Sequence, residues 1–136
     1  MTLNHNEYLN YTLPKNWCAD EDTDNLLLYN PDGRGAITTS FFNVLNTKES
    51  LDEQISILAK RFIDQNNIKL HSPLILFNRD GKTTLYGTGT TSDGWFIKLW
   101  VVAKHPKIVF ATYQSERNSS EVKVCDSIIN SFQFAF

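Results

Sequence analysis

The sequence has few of the residues that usually build a chemical site. It contains two cysteines, three histidines and one methionine among 136 residues, and its 13 basic and 15 acidic residues leave a formal net charge of −2. Because this balance offers no basic excess for a phosphate backbone, no nucleic-acid partner is expected. The longest apolar runs fall well short of the roughly 20 residues that cross a bilayer, so no membrane partner is expected either.

The length and the N-terminal segment predict the broad class of the protein. Residues 1–7 contain neither the basic stretch nor the apolar run of a secretory signal, so we expect a soluble, cytoplasmic chain. In a reducing compartment, Cys18 and Cys125 are then free thiols. The size predicts a single domain over residues 1–136, with residues 1–7 as a loose tail.

The acidic residues do not form a recognisable metal site. Asp20, Asp22 and Asp24 alternate, as carboxylates around Ca²⁺ can, but an EF-hand loop that began at Asp20 would need Gly at its sixth position and Glu at its twelfth. Those positions hold Asn25 and Pro31. The spacing therefore predicts a solvated acidic loop.

The histidines and cysteines also lack the spacing of a reactive or metal-binding group. His5, His71 and His105 are far apart and are expected on the surface, without a second ligand type nearby. Cys125 occupies an apolar helix face, where a thiol behaves as a small buried hydrophobe. We therefore predict no catalytic residue, no metal and no cofactor.

The most informative part of the chain is the run from Lys82 to Phe136. Three β-rich segments follow one another with short turns, at Lys82–Thr90, Trp95–Lys104 and Lys107–Ser115. Connections this short join neighbouring antiparallel strands, because parallel strands need a crossover of a dozen or more residues. An amphipathic helix pattern closes the run. It begins near Asn118, with Glu121 three residues on, and its apolar face consists of Val122, Cys125, Ile128, Ile129 and Phe132.

The first half of the chain predicts further strands and one helix. We expect an edge strand at Tyr8–Leu13, a polar loop at Lys15–Asn25, a hairpin of Leu26–Asn30 with Ala36–Phe42, and a strand at Leu74–Phe77. The helix follows Ser50, which forms a capping box with Glu53. Its apolar positions recur at spacings of three and four: Leu51, Ile55, Leu58, Ala59 and Phe62. The helix is expected to end at Gln65-Asn66-Asn67, where Asn67 can take the left-handed conformation. The pattern as a whole predicts an α+β fold with one antiparallel sheet and two principal helices.

The segment Trp95–Lys104 has two different faces, because alternate side chains of a strand point to opposite sides of a sheet. One face is wholly apolar and is expected to face a core; it consists of Trp95, Ile97, Leu99, Val101 and Ala103. The other mixes aromatic, apolar and basic residues: Phe96, Lys98, Trp100, Val102 and Lys104. A helix could cover the mixed face, with the lysines at its rim. Alternatively, its aromatic residues could anchor a protein partner or stack on nucleobases. We expect Trp100 to be covered and Phe96 to be partly exposed.

Two short motifs resemble the PsbP-like superfamily, which includes thylakoid PsbP, the Ran-binding Mog proteins and bacterial effector chaperones. The chain enters through Tyr11-Thr-Leu-Pro14-Lys-Asn-Trp17, similar to the Leu-Pro then Trp step of that superfamily, and closes with Ile128-Ile-Asn-Ser131-Phe132-Gln-Phe134. The resemblance implies a single curved antiparallel sheet with two helices packed on it. It also implies that there is no shared active site and that the protein binds another protein, as most members of the superfamily do.

Together these observations predict a non-catalytic protein-binding module of the bacterial cytoplasm, of the adaptor, immunity-protein or effector-chaperone type. The expected binding residues are Phe96, Lys98, Trp100 and Lys104, and the partner is another protein or a second copy in a homodimer. The alternative is an enzyme or small-molecule-binding protein, which would need polar groups that converge in a pocket beside the sheet.

Overall fold

The structure is a computed structural model that describes residues 2–6, 9–22 and 24–136. In these ranges the chain forms eleven strands and two helices, in the following order: β1 (Thr2–His5), β2 (Leu9–Thr12), β3 (Cys18–Glu21), β4 (Asn25–Tyr29), β5 (Gly35–Asn43), α1 (Leu51–Gln65), β6 (Lys69–Leu70), β7 (Ile75–Arg79), β8 (Lys82–Thr90), β9 (Phe96–Lys104), β10 (Lys107–Ser115), α2 (Glu121–Asn130) and β11 (Gln133–Phe134).

The strands form two antiparallel sheets, so the prediction of a single sheet is wrong. The larger sheet has the order β3-β4-β5-β10-β9-β8-β6, and β7 also pairs with β8. The smaller sheet has the order β1-β2-β11. Its register pairs Leu9 with Phe134, so the two ends of the described chain meet. Leu9 and Phe134 are both buried in the core beneath α2, which holds this small sheet against the large one.

The N-terminal part is more ordered than the sequence predicted. A loose tail is wrong for Thr2–His5, which form β1 and pair with β2, while Met1 and Glu7 lie outside the described residues. Strand β2 is the central strand of the small sheet rather than an edge, and Tyr8 is not described. The expected polar loop contains β3, because its polar segment Cys18–Glu21 pairs with the apolar β4.

Helix α1 begins and ends as the sequence predicted. The Ser50 hydroxyl accepts a hydrogen bond from the Glu53 N–H at 3.2 Å, and the Glu53 carboxylate accepts from the Ser50 N–H at 3.3 Å. This reciprocal pair is the expected capping box. Beyond the helix, Asn67 adopts a left-handed conformation with φ of 51°, which reverses the chain toward β6.

Helix α2 begins at Glu121, three residues later than predicted. Ser120 is its N-cap residue but makes no side-chain capping bond. A capping box from Asn118 does not form because the Glu121 carboxylate is engaged elsewhere, by the backbone N–H groups of Arg34 and Gly35. The prediction of its apolar face is confirmed by four buried residues: Cys125, Ile128, Ile129 and Phe132.

The large sheet lies between two cores. On one face α1 packs Ile55, Ala59 and Ile63 against the apolar residues of β9. On the other, α2 and the small sheet cover the mixed face of β9. Strand β9 is therefore buried on both sides, although Trp95 precedes it and is 41% exposed, contrary to its expected place in the core.

His5 is buried, contrary to its expected surface position. Its ring stacks on Phe41 with a centroid distance of 4.7 Å, and its Nδ1 lies 3.6 Å from a Glu21 carboxylate oxygen. Placement in β1 turns the imidazole inward, which no local pattern indicates. His71 and His105 are exposed, as expected.

Neither helix of the described residues is long and apolar enough to cross a membrane.

Candidate binding cleft

The four predicted binding residues do not form one open surface. Phe96, Lys98 and Trp100 are buried, and Lys104 is half-buried at the far end of β9. The expected cover over Trp100 is confirmed. The partial exposure expected for Phe96 is wrong, because Phe96 belongs to the core on this face of the sheet and its ring lies 6.3 Å from that of His71. The role of these four residues in binding stays a prediction.

Two of the four, Lys98 and Trp100, meet in a cleft of about 450 Å³ beside α2. We call this the β7–α2 cleft. Its lining comes from three neighbouring strands and one helix: Ile75, Phe77, Arg79, Thr84, Tyr86, Lys98, Trp100, Asp126 and Asn130.

The strands β7, β8 and β9 form the floor of the cleft, and their register aligns the lining side chains in rows across the sheet. Trp100 of β9 lies opposite Tyr86 of β8, which lies opposite Ile75 of β7. In the next row of this face, Thr84 lies opposite Phe77. Because neighbours in register point to the same side of a sheet, these side chains form a continuous aromatic and apolar floor.

Helix α2 covers only part of this floor and supplies one wall of the cleft. Asp126 and Asn130 are four residues apart, so they share one side of the helix. Cys125 and Ile129, each one position earlier, point about 100° away around the helix and are buried in the core. The helix thus lies over Trp100, and its polar flank faces the uncovered rows of β8 and β7.

A charged network fixes the centre of the cleft. The Lys98 ammonium donates to Oδ1 of Asp126 at 2.7 Å, and the Trp100 indole N–H donates to the same oxygen at 3.1 Å. The ammonium also lies 5.0 Å from the ring centroid of Tyr86 and 5.3 Å from that of Trp100. A buried charge needs a partner, and here a carboxylate and two aromatic faces provide it.

A second cation stands at the rim of the cleft. The exposed Arg79 guanidinium lies 5.5 Å from the ring centroid of Phe77, whose ring meets that of Tyr86 edge-on at 6.0 Å. Arg79 has no carboxylate partner among the ion pairs of the described residues. Since Asp126 balances Lys98, the cleft keeps one unbalanced positive charge, on an aromatic shelf.

Sequence reasoning missed most of the lining, because the cleft exists only after β7, β8 and α2 come together. A signal was present in β7, where Ile75, Phe77 and Arg79 alternate. With the hairpin register, that alternation would have placed them beside Tyr86 on the mixed side of the sheet.

A separate polar cluster fixes the position of α2. The Glu121 carboxylate accepts from the backbone N–H groups of Arg34 and Gly35, both at 3.1 Å, and from the Tyr113 hydroxyl at 2.8 Å. Burial, together with the bond to Glu121, raises the pKa of Tyr113 to about 12. These contacts tie α2 to the β4–β5 hairpin, and so they set where its polar flank lies.

The acidic segment near β3 is used within the fold. Oδ1 of Asp22 accepts from the N–H groups of Asp24 and Asn25 at 2.9 and 2.7 Å, which closes the turn before β4. No group of three metal-ligating side chains converges in the described ranges.

Comparison with solved structures identifies the fold. The solution structure of cyanobacterial PsbP (CyanoP) from Synechocystis sp. PCC 6803 matches with a TM-score of 0.73 at 11% identity, over 98% of this chain and 91% of that one. A crystal structure of a protein from Bacteroides thetaiotaomicron VPI-5482 matches with a TM-score of 0.53 at 16% identity. This second match covers 93% of this chain but only 44% of the other.

No family model and no curated protein matches the sequence. At these identities the structural matches establish the architecture alone. The resemblance seen in the two short motifs is therefore confirmed at the level of fold: the chain has a PsbP-like fold.

Proposed function

We propose that this protein is a non-catalytic module that binds another protein through the β7–α2 cleft. We place it in the bacterial cytoplasm, as an adaptor, immunity protein or effector chaperone. Members of the superfamily that the sequence resembles mostly bind other proteins. The observation that carries the proposal is the aromatic shelf of Phe77 and Tyr86, beside a fixed ion pair and under an unbalanced Arg79.

The cleft has the composition of a protein-binding surface. Tyr, Trp and Arg are enriched where interfaces concentrate their binding energy, and all three residue types line it. Its centre is rigid, because the Lys98–Asp126 pair is held by Trp100 and by aromatic contacts. A rigid site loses little side-chain freedom on binding, which favours affinity.

The charges indicate which partner segment fits. A segment with an apolar or aromatic side chain would cover Ile75 and Phe77, and a neighbouring carboxylate would reach Arg79. A charge at the rim of an interface steers encounter and selects partners more than it adds affinity. We therefore propose a partner segment that is both apolar and acidic.

A small-molecule ligand is the second candidate, and one observation favours it. The polar side chains of Lys98, Asp126 and Asn130 line the same concave site as the aromatic floor. Such a combination is common in ligand pockets. The cleft also opens at the edge of the sheet, because its lining residue Ile75 is 49% exposed. A partner larger than a metabolite can therefore reach it from the side, and for this reason we favour a protein.

The test is affinity capture from the organism of origin, with quantitative mass spectrometry on three baits. The baits are the wild type, Arg79→Glu in the cleft, and Arg61→Glu on α1 as the matched control. Both arginines are exposed, so each substitution reverses one surface charge. We expect a protein that is retained by the wild type and Arg61→Glu but depleted at least about tenfold by Arg79→Glu, a loss typical of an interface residue.

Two outcomes would contradict the proposal. One is a dominant protein partner that all three baits retain equally, which would place binding elsewhere. The other is a metabolite retained by the wild type in native mass spectrometry and lost from Arg79→Glu, with no protein behaving in the same way. That result would support the second candidate.

A further inference from the structure

Strand β7 forms an open edge of the large sheet. We propose that it pairs, antiparallel, with β7 of a second copy of this chain, so that two large sheets join across a two-fold axis. In the described residues, β7 pairs with β8 alone. The contact between the two copies uses the outer edge of β7, whereas the proposed protein-binding site lies between β7 and α2.

The hairpin geometry shows which backbone groups face outward. Asp80 and Gly81 have φ values of 53° and 76°, as in a two-residue type I′ turn, and Arg79 lies opposite Lys82. The pair that flanks such a turn is hydrogen-bonded, and bonded and non-bonded pairs then alternate along the strands. Leu76 and Asn78 therefore direct their N–H and C=O groups away from β8, toward the open edge.

Apart from its short length, this edge lacks the usual protection against pairing. Exposed edge strands are commonly blocked by charged side chains, proline, bulges or short length. Strand β3, at the opposite end of the sheet, carries Asp20 and Glu21, and β6 has only two residues. The sequence of β7 is Ile-Leu-Phe-Asn-Arg, with no charge before Arg79.

The exposed side chains of β7 are arranged so that an added strand would cover them. Ile75 is 49% exposed and Leu76 is 37% exposed. As neighbours in a strand, they lie on opposite faces of the sheet. A helix on one face would cover one of them, whereas an added strand carries side chains to both faces and covers both.

The sequence of β7 is self-complementary in one register. A two-fold axis at Leu76 places the two Leu76 residues opposite each other, as an outward hydrogen-bonded pair, and places Ile75 opposite Phe77 of the second copy. Arg79 then lies beyond the apolar pairs and meets no like charge. An axis at Phe77 would instead place Ile75 opposite Arg79. The first register covers more apolar surface and is the one we assign.

A second copy satisfies both open edges at once, which is the property of an isologous contact. The paired segment is only five residues long, so its buried area falls below the roughly 1,200 Å² that a stable complex buries. The dimer is therefore weak. It meets the β7–α2 cleft at the outer side of Ile75 and Phe77, while α2 and β9 lie on the inner side of β7.

The test is sedimentation equilibrium of the purified full chain from about 10 μM to about 1 mM, the range in which an interface below the standard size associates. The wild type has a mass of 15.6 kDa. We expect its weight-average mass to rise toward twice this value at the highest concentration. Leu76→Lys places two lysines opposite each other and is expected to stay monomeric.

The matched control is Leu45→Lys, because Leu45 is 65% exposed in a different apolar cleft, between α1 and β5. It is expected to associate like the wild type. Leu76→Pro removes an outward N–H, which the monomer does not use, and should also abolish association. Circular dichroism of each variant confirms that it is folded.

A wild type that remains monomeric at about 1 mM would overturn the inference, since even a contact below standard size is expected to populate a dimer there. Association that survives Leu76→Lys but is lost in Leu45→Lys would overturn it too, by placing the contact at the other cleft. Neither result depends on the proposed binding of a partner in the cleft, which affinity capture with Arg79→Glu tests separately.

Discussion

The two faces of the large sheet are covered in different ways. The α1 face is almost entirely apolar, with Ile55 and Ala59 packed against Leu99 and Val101. The α2 face combines apolar packing with buried polar bonds, including those from Lys98 and Trp100 to Asp126. Packing on the α1 face stabilises the fold without bringing charged side chains together, whereas packing on the α2 face also forms a charged cleft.

The difference follows from how each helix is fixed. Apolar packing is nondirectional, and the polar bonds of buried Gln54 in α1 run to the backbone of Leu45 and Glu49 in the preceding loop rather than to the sheet. Polar bonds are directional, so the bonds of Glu121 and Asp126 give α2 a defined position across the sheet. The polar flank of α2 thereby faces the rows of β8 and β7 that the helix leaves uncovered.

The largest expected effect is on the α2 face, at Trp100. We expect Trp100→Ala to lower the free energy of unfolding by about 3–5 kcal/mol, because a large buried side chain and its bond to Asp126 are both lost. Trp95→Ala, at an exposed position, is the control and should change it by less than about 1 kcal/mol. Urea unfolding followed by circular dichroism measures both, and equal effects would show that the α2 face is not packed as described.

The corresponding prediction for the α1 face concerns Ile55. Ile55→Ala is expected to cost about 2–5 kcal/mol, because the side chain is fully buried. Ile57→Ala removes the same atoms from an exposed position two residues away and should cost far less. Leu58 and Phe62 are only partly buried, so we expect truncation there to fall at or below the low end of that range. Chemical unfolding of the four variants gives the order, and an Ile57→Ala effect as large as that of Ile55→Ala would contradict it.

A smaller effect is expected at the polar anchor of α2. Glu121→Gln should destabilise the fold by about 1–3 kcal/mol, because an amide has one accepting oxygen where the carboxylate has two, and it loses charge-assisted bonds. Glu116→Gln, at an exposed position, is the matched control. Thermal unfolding of the two variants at neutral pH measures the difference. Equal melting temperatures would show that Glu121 does not anchor α2.

A pH dependence on the α2 face is expected only above neutral pH. Burial raises the pKa of the Cys125 thiol from 9.0 to about 12. A raised pKa contributes stability that is fully present below pH 9.0 and is lost as the pH rises toward 12. Unfolding free energies measured from about pH 8 to about pH 11 should fall more steeply for the wild type than for Cys125→Ala. Cys18→Ala keeps the buried thiol and should follow the wild type, so parallel curves for all three proteins would contradict the assignment.

Patterns within one element were predictable from the sequence. The Ser50 capping box, the apolar spacing of α1 and the ends of β8 and β10 depend on neighbouring residues, and the structure has them as predicted.

Long-range pairing was not predictable. The second sheet depends on Leu9 meeting Phe134, and nothing local to either end indicates that contact. The burial of His5 against Phe41 depends on the same arrangement. The cleft was predicted only in part, through Lys98 and Trp100, because Asp126 and Arg79 reach it from elements whose relative positions come from the tertiary fold.

Hydrogen–deuterium exchange with the captured partner tests the binding face most directly. If the β7–α2 cleft binds the partner, amides of β7 and α2 should be protected on addition of the partner, while those of α1 and residues 42–50 stay unchanged. Arg79→Glu should abolish this protection at the same protein concentration. Protection confined to α1 and residues 42–50 would contradict the account and place binding in the apolar cleft beside Leu45.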